Sequence, residues 1–344
     1  MGVDRRAATS LAAPPAVLAA VLAVVGPAAW LVACDYTSVR DAAFKEPRDV
    51  HRLAVIGDPD DAQPGRTHER LTAWAASLGD SLNLMVVRID PEAPDVKWEE
   101  YGIPSAPPSL PVVTLSGWRR LERKGFLIDH WEPEPSDKDL ELIRTSAARE
   151  AIRQEAGRRV AVLVYVAGDD PEASARIAKL LDTVVDAWNK KQPLGLAVVR
   201  VSRTDERERL LLAFAGIRAS GPDWVAVAFG RGKLMQPLQG DEITAETLDE
   251  QIELLAGECT CLRSPSSLGV DLPLMWSKDL DATVDMMRTN DEAAASTAQA
   301  PPLDAAPTHR RLFATVVTTL AALAAGVGIT AVAIIWRRRD QQAA

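Results

Sequence analysis

The sequence predicts an α/β protein in which one mixed-sheet module occurs twice in tandem, followed by a single transmembrane helix. Three observations predict it. Short β-branched runs alternate with segments of helical period. That alternation returns at a nearly constant offset of 111 to 114 residues, the mark of an internal repeat. Finally, Leu312 to Trp336 are 25 consecutive uncharged positions, more than the ~20 needed to cross a bilayer.

The repeat is legible residue by residue. Leu53 to Asp58, a strand-like run ending in Gly57-Asp58, answers to Leu163 to Asp169, ending in Gly168-Asp169. Val86-Val87-Arg88 answers to Val198-Val199-Arg200, Gly102-Ile103 to Gly216-Ile217, Gly117 to Gly230, and Leu140 to Ile143 to Ile252 to Leu255. The two copies occupy residues 50–150 and 158–275, the second ending in a Cys-x-Cys tail.

Each copy opens with an apolar run, Arg52 to Ile56 or Val160 to Val166, whose closing Gly-Asp punctuates the strand and is suited to capping a helix. A helix follows. Leu71, Trp74, Ala75 and Leu78 share one of its faces in the first copy; Ile177, Leu180, Leu181, Val184, Val185 and Trp188 do so in the second. The next strands, Leu82 to Ile89 and Leu194 to Val201, are hydrophobic without interruption, as expected of parallel strands covered on both faces. After a short helix come a further strand (Pro111 to Leu115; Val225 to Phe229), a glycine turn, an edge strand and a last helix, with Ser136 and Thr244 as N-caps.

The ends predict the address. Arg5 and Arg6 precede an uncharged stretch running to Cys34, the basic and apolar parts of an export signal. Leu31-Val32-Ala33-Cys34 resembles the lipobox of bacterial lipoproteins, which implies cleavage of residues 1–33 and lipidation of Cys34; an uncleaved signal anchor is the alternative. Asp35 resembles the inner-membrane retention signal of many such lipoproteins. Arg337, Arg338 and Arg339 follow the span at 312–336 and place the C-terminus in the cytoplasm by the positive-inside bias. Residues 287–309 have no hydrophobic period and read as a disordered linker. The expected location is the bacterial inner membrane, with the folded body on the periplasmic side.

The order β-α-β-α-β-β-α, with Leu110-Pro111-Val112-Val113-Thr114-Leu115 and Gly117, resembles the thioredoxin superfamily over about 200 of the 344 residues. The resemblance implies a cis-proline at Pro111 opening the third core strand, and an exposed groove beside it, so Leu110 and Pro111 are candidates for contact with a protein partner. In the second copy Trp224 stands at the equivalent place and the proline signature is missing. As a whole the chain resembles tandem thioredoxin-like bacterial envelope lipoproteins, a likeness that implies no activity.

Thioredoxins use Cys-x-x-Cys at the start of the first helix because a helix N-terminus stabilises thiolate. The matching stretches, Asp58 to Gly65 and Asp169 to Ser174, contain no cysteine, so no catalytic residues are expected there; their carboxylates read as caps rather than metal ligands. Cys259-Thr260-Cys261 is the remaining candidate. It reads as a structural turn, with a strained, reducible disulfide or a Cu(I) site including Met275 as alternatives. The four histidines, His51, His68, His130 and His309, show no ligand spacing and read as surface residues; no metal or cofactor is expected. A formal charge of -9 without a basic stripe in the body excludes nucleic acid as a partner. The reading is a non-catalytic membrane scaffold for a protein partner; a thiol-disulfide oxidoreductase or copper-handling protein using Cys259 and Cys261 is the alternative. A small-molecule binding module is a third possibility, supported only by the presence of two domains with a cleft between them.

Overall fold

The computed structural model describes residues 38–256, 264–278, 280, 281 and 284. In the first module β1 (His51–Ile56) runs parallel to β2 (Leu84–Ile89) and antiparallel to β3 (Val112–Arg119), and β3 is antiparallel to β4 (Lys124–Trp131). The sheet order is β2-β1-β3-β4. The second module repeats it. Strand β5 (Ala161–Val166) is parallel to β6 (Leu196–Val201) and antiparallel to β7 (Trp224–Phe229), which pairs antiparallel with β8 (Lys233–Met235). Two short additions distinguish it: β9 (Leu238–Gln239) pairs with the start of β7, and β10 (Gly269–Asp271) lies outside β8. These are two mixed sheets resembling tandem thioredoxin-like domains.

The helices form where the caps and apolar spacing put them. Helix α2 (Ala62–Leu78) connects β1 to β2, and α5 (Pro171–Lys191) connects β5 to β6. Their N-caps are Asp61 and Asp170, not the Gly-Asp aspartates expected from the sequence. The Asp170 carboxylate accepts from the backbone N–H groups of Glu172 and Ala173 at 2.9 and 3.2 Å. Ser136 closes a reciprocal capping box with Asp139 at the start of α3 (Asp137–Arg144). Helix α6 (Arg209–Phe214) precedes β7, and α7 (Ala245–Ala256) follows β9, with the Thr244 hydroxyl accepting from Thr247 N–H at 3.1 Å.

Two helices were not foreseen. The last helix of module 1 stops at Thr145, and Ser146 caps a new one, α4 (Ala147–Ala156), which leaves module 1 and packs on β5, β6 and β7. Ahead of β1, α1 (Val39–Lys45) packs on α7 of module 2 and buries Val39 and Ala43 there. One expected feature is qualified and one differs. Strands β2 and β6 have side chains packed on both faces, as expected: Leu84 and Val86 on one side of β2 and Val87 and Ile89 on the other, Leu196 and Val198 on one side of β6 and Val199 and Val201 on the other. Each is nonetheless a sheet margin whose outer edge stays open, with Met85 44% exposed and Arg88 and Arg200 reaching solvent. And His51, expected at the surface, is fully buried.

Module 1 and module 2 share a core. Leu53, Val55, Leu71 and Ile143 from the helix-bearing face of sheet one pack through Ile152 of α4 with Val162, Val164, Leu211 and Ala226 of module 2. The opposite face of module 1, Ala54, Ile56, Ile89 and Val112, is covered by its own Val87, Val96, Trp98, Tyr101 and Ile103. The opposite face of module 2 takes α5, α7 and α1. Both sheets lie in one compact unit ending at Asp285. Among the described residues no helix is long and apolar enough to cross a membrane; the span at 312–336, the linker at 287–309 and the signal segment lie outside them.

Candidate functional site

The thioredoxin resemblance directs attention to the start of the helix after the first strand, beside the start of the third strand. Both modules assemble that place, in different ways. In module 1, β1 ends at Gly57, and a methyl group there would come within 2.5 Å of Pro64 in α2 and 3.3 Å of Pro111. The absence of a Cβ therefore lets strand, helix and Pro111 meet. The Leu110-Pro111 peptide bond is cis. Leu110 beside it is 46% exposed. Asp58 and Asp61 are occupied locally, accepting from the backbone N–H groups of Asp60 and Gln63 at 2.8 and 2.9 Å, and Arg88 donates to the Pro59 carbonyl at 3.0 Å. On the far side Ser109 donates to Glu132, and Thr67 to Glu134 at 2.7 Å. No thiol, hydroxyl or imidazole stands at the helix start, so what remains is an exposed apolar side chain and main chain next to a cis-proline.

In module 2 the strand register puts Asp223, not Trp224, at the place of Pro111, and that buried carboxylate closes the position while Pro222, at the place of Leu110, stays exposed. Gly168 comes so near the next strand that a Cβ would lie 2.6 Å from the Asp223 nitrogen. Asp223 is 3% exposed, and one of its carboxylate oxygens accepts from Tyr165 Oη at 2.7 Å, Ser174 Oγ at 2.8 Å and Gly168 N–H at 3.1 Å. Burial, then the bond to Asp223, raises the Tyr165 phenol to about 12, so it stays a donor at neutral pH. The loop before β7 is laced down as well. Asp169 exchanges bonds with Gly221, its amide donating to the Gly221 carbonyl at 3.0 Å and its carboxylate accepting from Gly221 N–H at 2.8 Å. Arg203 donates to the carbonyls of Ala167, Arg218 and Pro222. Sequence reasoning noticed the missing proline here but not Asp223, because nothing in a lone aspartate before a strand signals three donors converging on it.

The seam between the modules holds a third cluster, entirely unforeseen. Asp49 and Asp271, both buried, each accept from the other's backbone N–H, at 2.8 and 3.1 Å. Lys233, 1% exposed, reaches Asp271 at 3.0 Å and Asp49 at 3.6 Å, and Arg120 approaches Asp49 at 3.2 Å. Burial pushes the Asp49 carboxyl above its ordinary range, with Lys233 opposing. His51 bonds the Asp271 carbonyl at 2.9 Å, and its Nδ1 has no hydrogen-bond partner. Burial brings its pKa down to about 4, so it is neutral. Arg48 ties Asn83 to the Leu274 carbonyl, its pKa pushed down to about 10 by burial. Arg149 does likewise from α4, donating to Ile143 and Pro273 carbonyls at 3.0 Å, while Glu208 accepts from Ser146 Oγ and Ala148 N–H. These are buried ions with partners on other elements, an arrangement that fixes a unique packing rather than offering a reactive surface.

Of the residues singled out in the sequence, Leu110 is exposed with Pro111 half-buried beside it, whereas Cys34, Cys259 and Cys261 lie outside the described residues. Met275, considered as a sulfur ligand, pairs with Leu82 of module 1. A cleft of about 210 Å³ opens at the seam, lined by Arg119, Phe126, Phe214, Trp224 and Leu268 among others.

No family model matches this chain, and no curated protein matches it in sequence. Solved structures do resemble it. One is the NTD_N/C domain of alkylhydroperoxide reductase AhpF from Enterococcus faecalis, 14% identical, covering 62% of this chain and 97% of that one with a TM-score of 0.21. Another is the first two thioredoxin domains of Saccharomyces cerevisiae Eps1p, 10% identical over 62% of this chain and 94% of that one, TM-score 0.22. Full-length ERdj5 is 16% identical over 63% of this chain and 28% of its own, TM-score 0.22. The tandem thioredoxin-like fold rests on the strand order and directions of the two sheets.

Proposed function

We propose that this chain is a membrane-anchored, redox-inactive scaffold of the bacterial periplasm that binds a protein partner at the inner membrane through the groove beside Leu110 and Pro111. The observation that carries this reading is the contrast between the two helix starts: both lack cysteine, module 2 fills the place of Pro111 with the buried, hydrogen-bonded Asp223, and module 1 keeps a cis-proline there beside Leu110, 46% exposed. Support for the address comes from the lipobox-like Leu31 to Cys34 and the uncharged stretch 312–336.

Cross-linking of the tagged full-length protein in its native membrane tests it. A discrete cross-linked species that disappears in Leu110→Asp and persists in Asp169→Asn, on the sealed side, is the expected result. Absence of any such species, or its indifference to Leu110→Asp, sinks the reading.

A second reading draws on the Cys259-Thr260-Cys261 motif, placed just before the segment that stitches the modules. It makes the chain a thiol-disulfide oxidoreductase or copper-handling protein. Thiol titration and metal analysis decide it; an unreactive, metal-free pair removes it.

A further inference from the structure

Both ends of the folded body meet at one corner, the turn between α4 and β5. From the N-terminal side, Arg40 of α1 donates through Nε to the Arg159 carbonyl at 2.7 Å and through a terminal nitrogen to the Gly157 carbonyl at 3.4 Å. Val39 and Ala43 are buried beside it, so α1 is a docked part of module 2. From the C-terminal side, Val284, the last described residue, is buried where a Cβ on Gly157 would lie 3.5 Å from it and 3.9 Å from Trp276. Trp276 in turn packs against Phe44 of α1, ring centroids 5.8 Å apart and tilted by 44°, and Arg40 lies over Phe44 at 5.0 Å. The two entry points of the chain are thereby held together by one aromatic and guanidinium contact.

The chain lengths outside this corner differ in their consequence. Only Asp35, Tyr36 and Thr37 separate Cys34 from Ser38, the N-cap of α1. Fully extended, four residue steps span at most about 14 Å, little more than a headgroup layer of ~5–8 Å plus the radius of a helix. The 27 residues from 285 to 311 could reach roughly 90 Å, so the C-terminal connection constrains nothing. The N-terminal one constrains everything.

We infer that the corner formed by α1, the Gly157–Arg159 turn, Trp276 and Val284 is held against the phospholipid headgroups, so that the body has a fixed membrane-facing side. The inference rests on the membrane-anchored reading above, but not on its lipidated form, since a signal anchor ending at residue 33 imposes the same short tether. Charge fits the placement: Arg159 is paired with Glu155 at 3.0 Å and Arg40 with Asp41 at 2.6 Å, whereas exposed Arg158 has no acidic partner among the described residues and is the group that meets headgroup phosphate. The outer face of module 1, covered by its own residues 96–103, lies on the side of that module away from module 2.

The full-length protein in phospholipid nanodiscs tests this, with photoreactive benzoylphenylalanine replacing Arg158 or, as the distal control, Ser105. Both side chains are exposed, so neither replacement disturbs the core. A several-fold higher yield of lipid adduct at position 158 than at 105 is expected. Equal yields, or a higher yield at 105, overturn the membrane-facing corner. The mass of the N-terminal peptide from the same sample separates the two ideas. A diacylglyceryl Cys34 or an intact residue 1–33 segment with equal adduct yields leaves the anchor standing and removes the corner. A peptide that begins at unmodified Cys34 removes the N-terminal tether and with it the corner, leaving the stretch 312–336 as the anchor.

Discussion

The start of α2 and the start of α5 occupy the same place in two copies of one fold, and the chain has treated them oppositely. At α5 a buried carboxylate collects three donors, and the preceding loop is bonded down by Asp169 and Arg203. At α2 the aspartates satisfy only their own turn, and Leu110 stands out of the surface beside a cis-proline. Absence of cysteine alone does not explain this difference, since both sites lack it. Buried, satisfied polar groups rigidify a fold, so the copy that keeps an exposed apolar side chain beside its cis-proline is the one proposed for binding.

The largest expected effect breaks the sealed site. Asp223→Ala leaves the Tyr165 hydroxyl, Ser174 hydroxyl and Gly168 amide without their acceptor and is expected to cost about 4 kcal/mol, read from denaturant unfolding of the detergent-solubilised chain. A loss under about 1 kcal/mol would mean that the site is not closed in solution.

Next comes acid sensitivity at the seam, which asks whether the two sites belong to one folding unit. His51 has its pKa brought down to about 4 from 6.5. Between those values the unfolded chain takes up a proton that the folded chain refuses, so stability falls as pH drops through that window, by about 3 kcal/mol in full. The raised Asp49 carboxyl acts in the opposite sense, because the folded state then holds the extra proton. His51→Gln should remove the His51 contribution, flattening the slope between pH 6.5 and 4; a slope unchanged from wild type contradicts it. A single transition reported by probes in both modules is the companion expectation.

Two glycines sharpen the contrast at lower cost. Gly168→Ala places a methyl group 2.6 Å from backbone of the next strand and should destabilise by about 2 kcal/mol. Gly65→Ala, within α2, meets only the end of Arg88 at 3.7 Å and should stabilise by about 0.5–1 kcal/mol through helix propensity. Thermal melts of the two variants should shift in opposite directions. Smallest in stability and largest in binding is Leu110→Asp: a change within about 0.5 kcal/mol, accompanied by loss of the cross-linked partner.

The repeat, the alternation of strand and helix, the N-caps at Ser136 and Thr244 and the missing cysteines were all legible in the sequence, because each is a local property of neighbouring residues or of a fixed offset. The Gly-Asp pairs that close β1 and β5 were legible too, but for the wrong reason. The capping falls to Asp61 and Asp170, while the glycines allow close approach, of Gly57 to Pro64 in α2 and of Gly168 to Asp223. Strands β2 and β6 read as buried because apolarity reports how much of a strand is covered, not whether a neighbour pairs with its outer edge.

By itself, then, the sequence determined two copies of a thioredoxin-like order of elements and the absence of the usual redox pair. Tertiary structure alone decided which copy is closed, where His51 lies and how the modules join. Asp49 meets Asp271 across 222 positions, and Arg40 meets Arg159 across 119. Such pairings leave no local trace, since a buried ion is tolerated only through partners that the fold brings to it, and nothing in either residue's own neighbourhood names them.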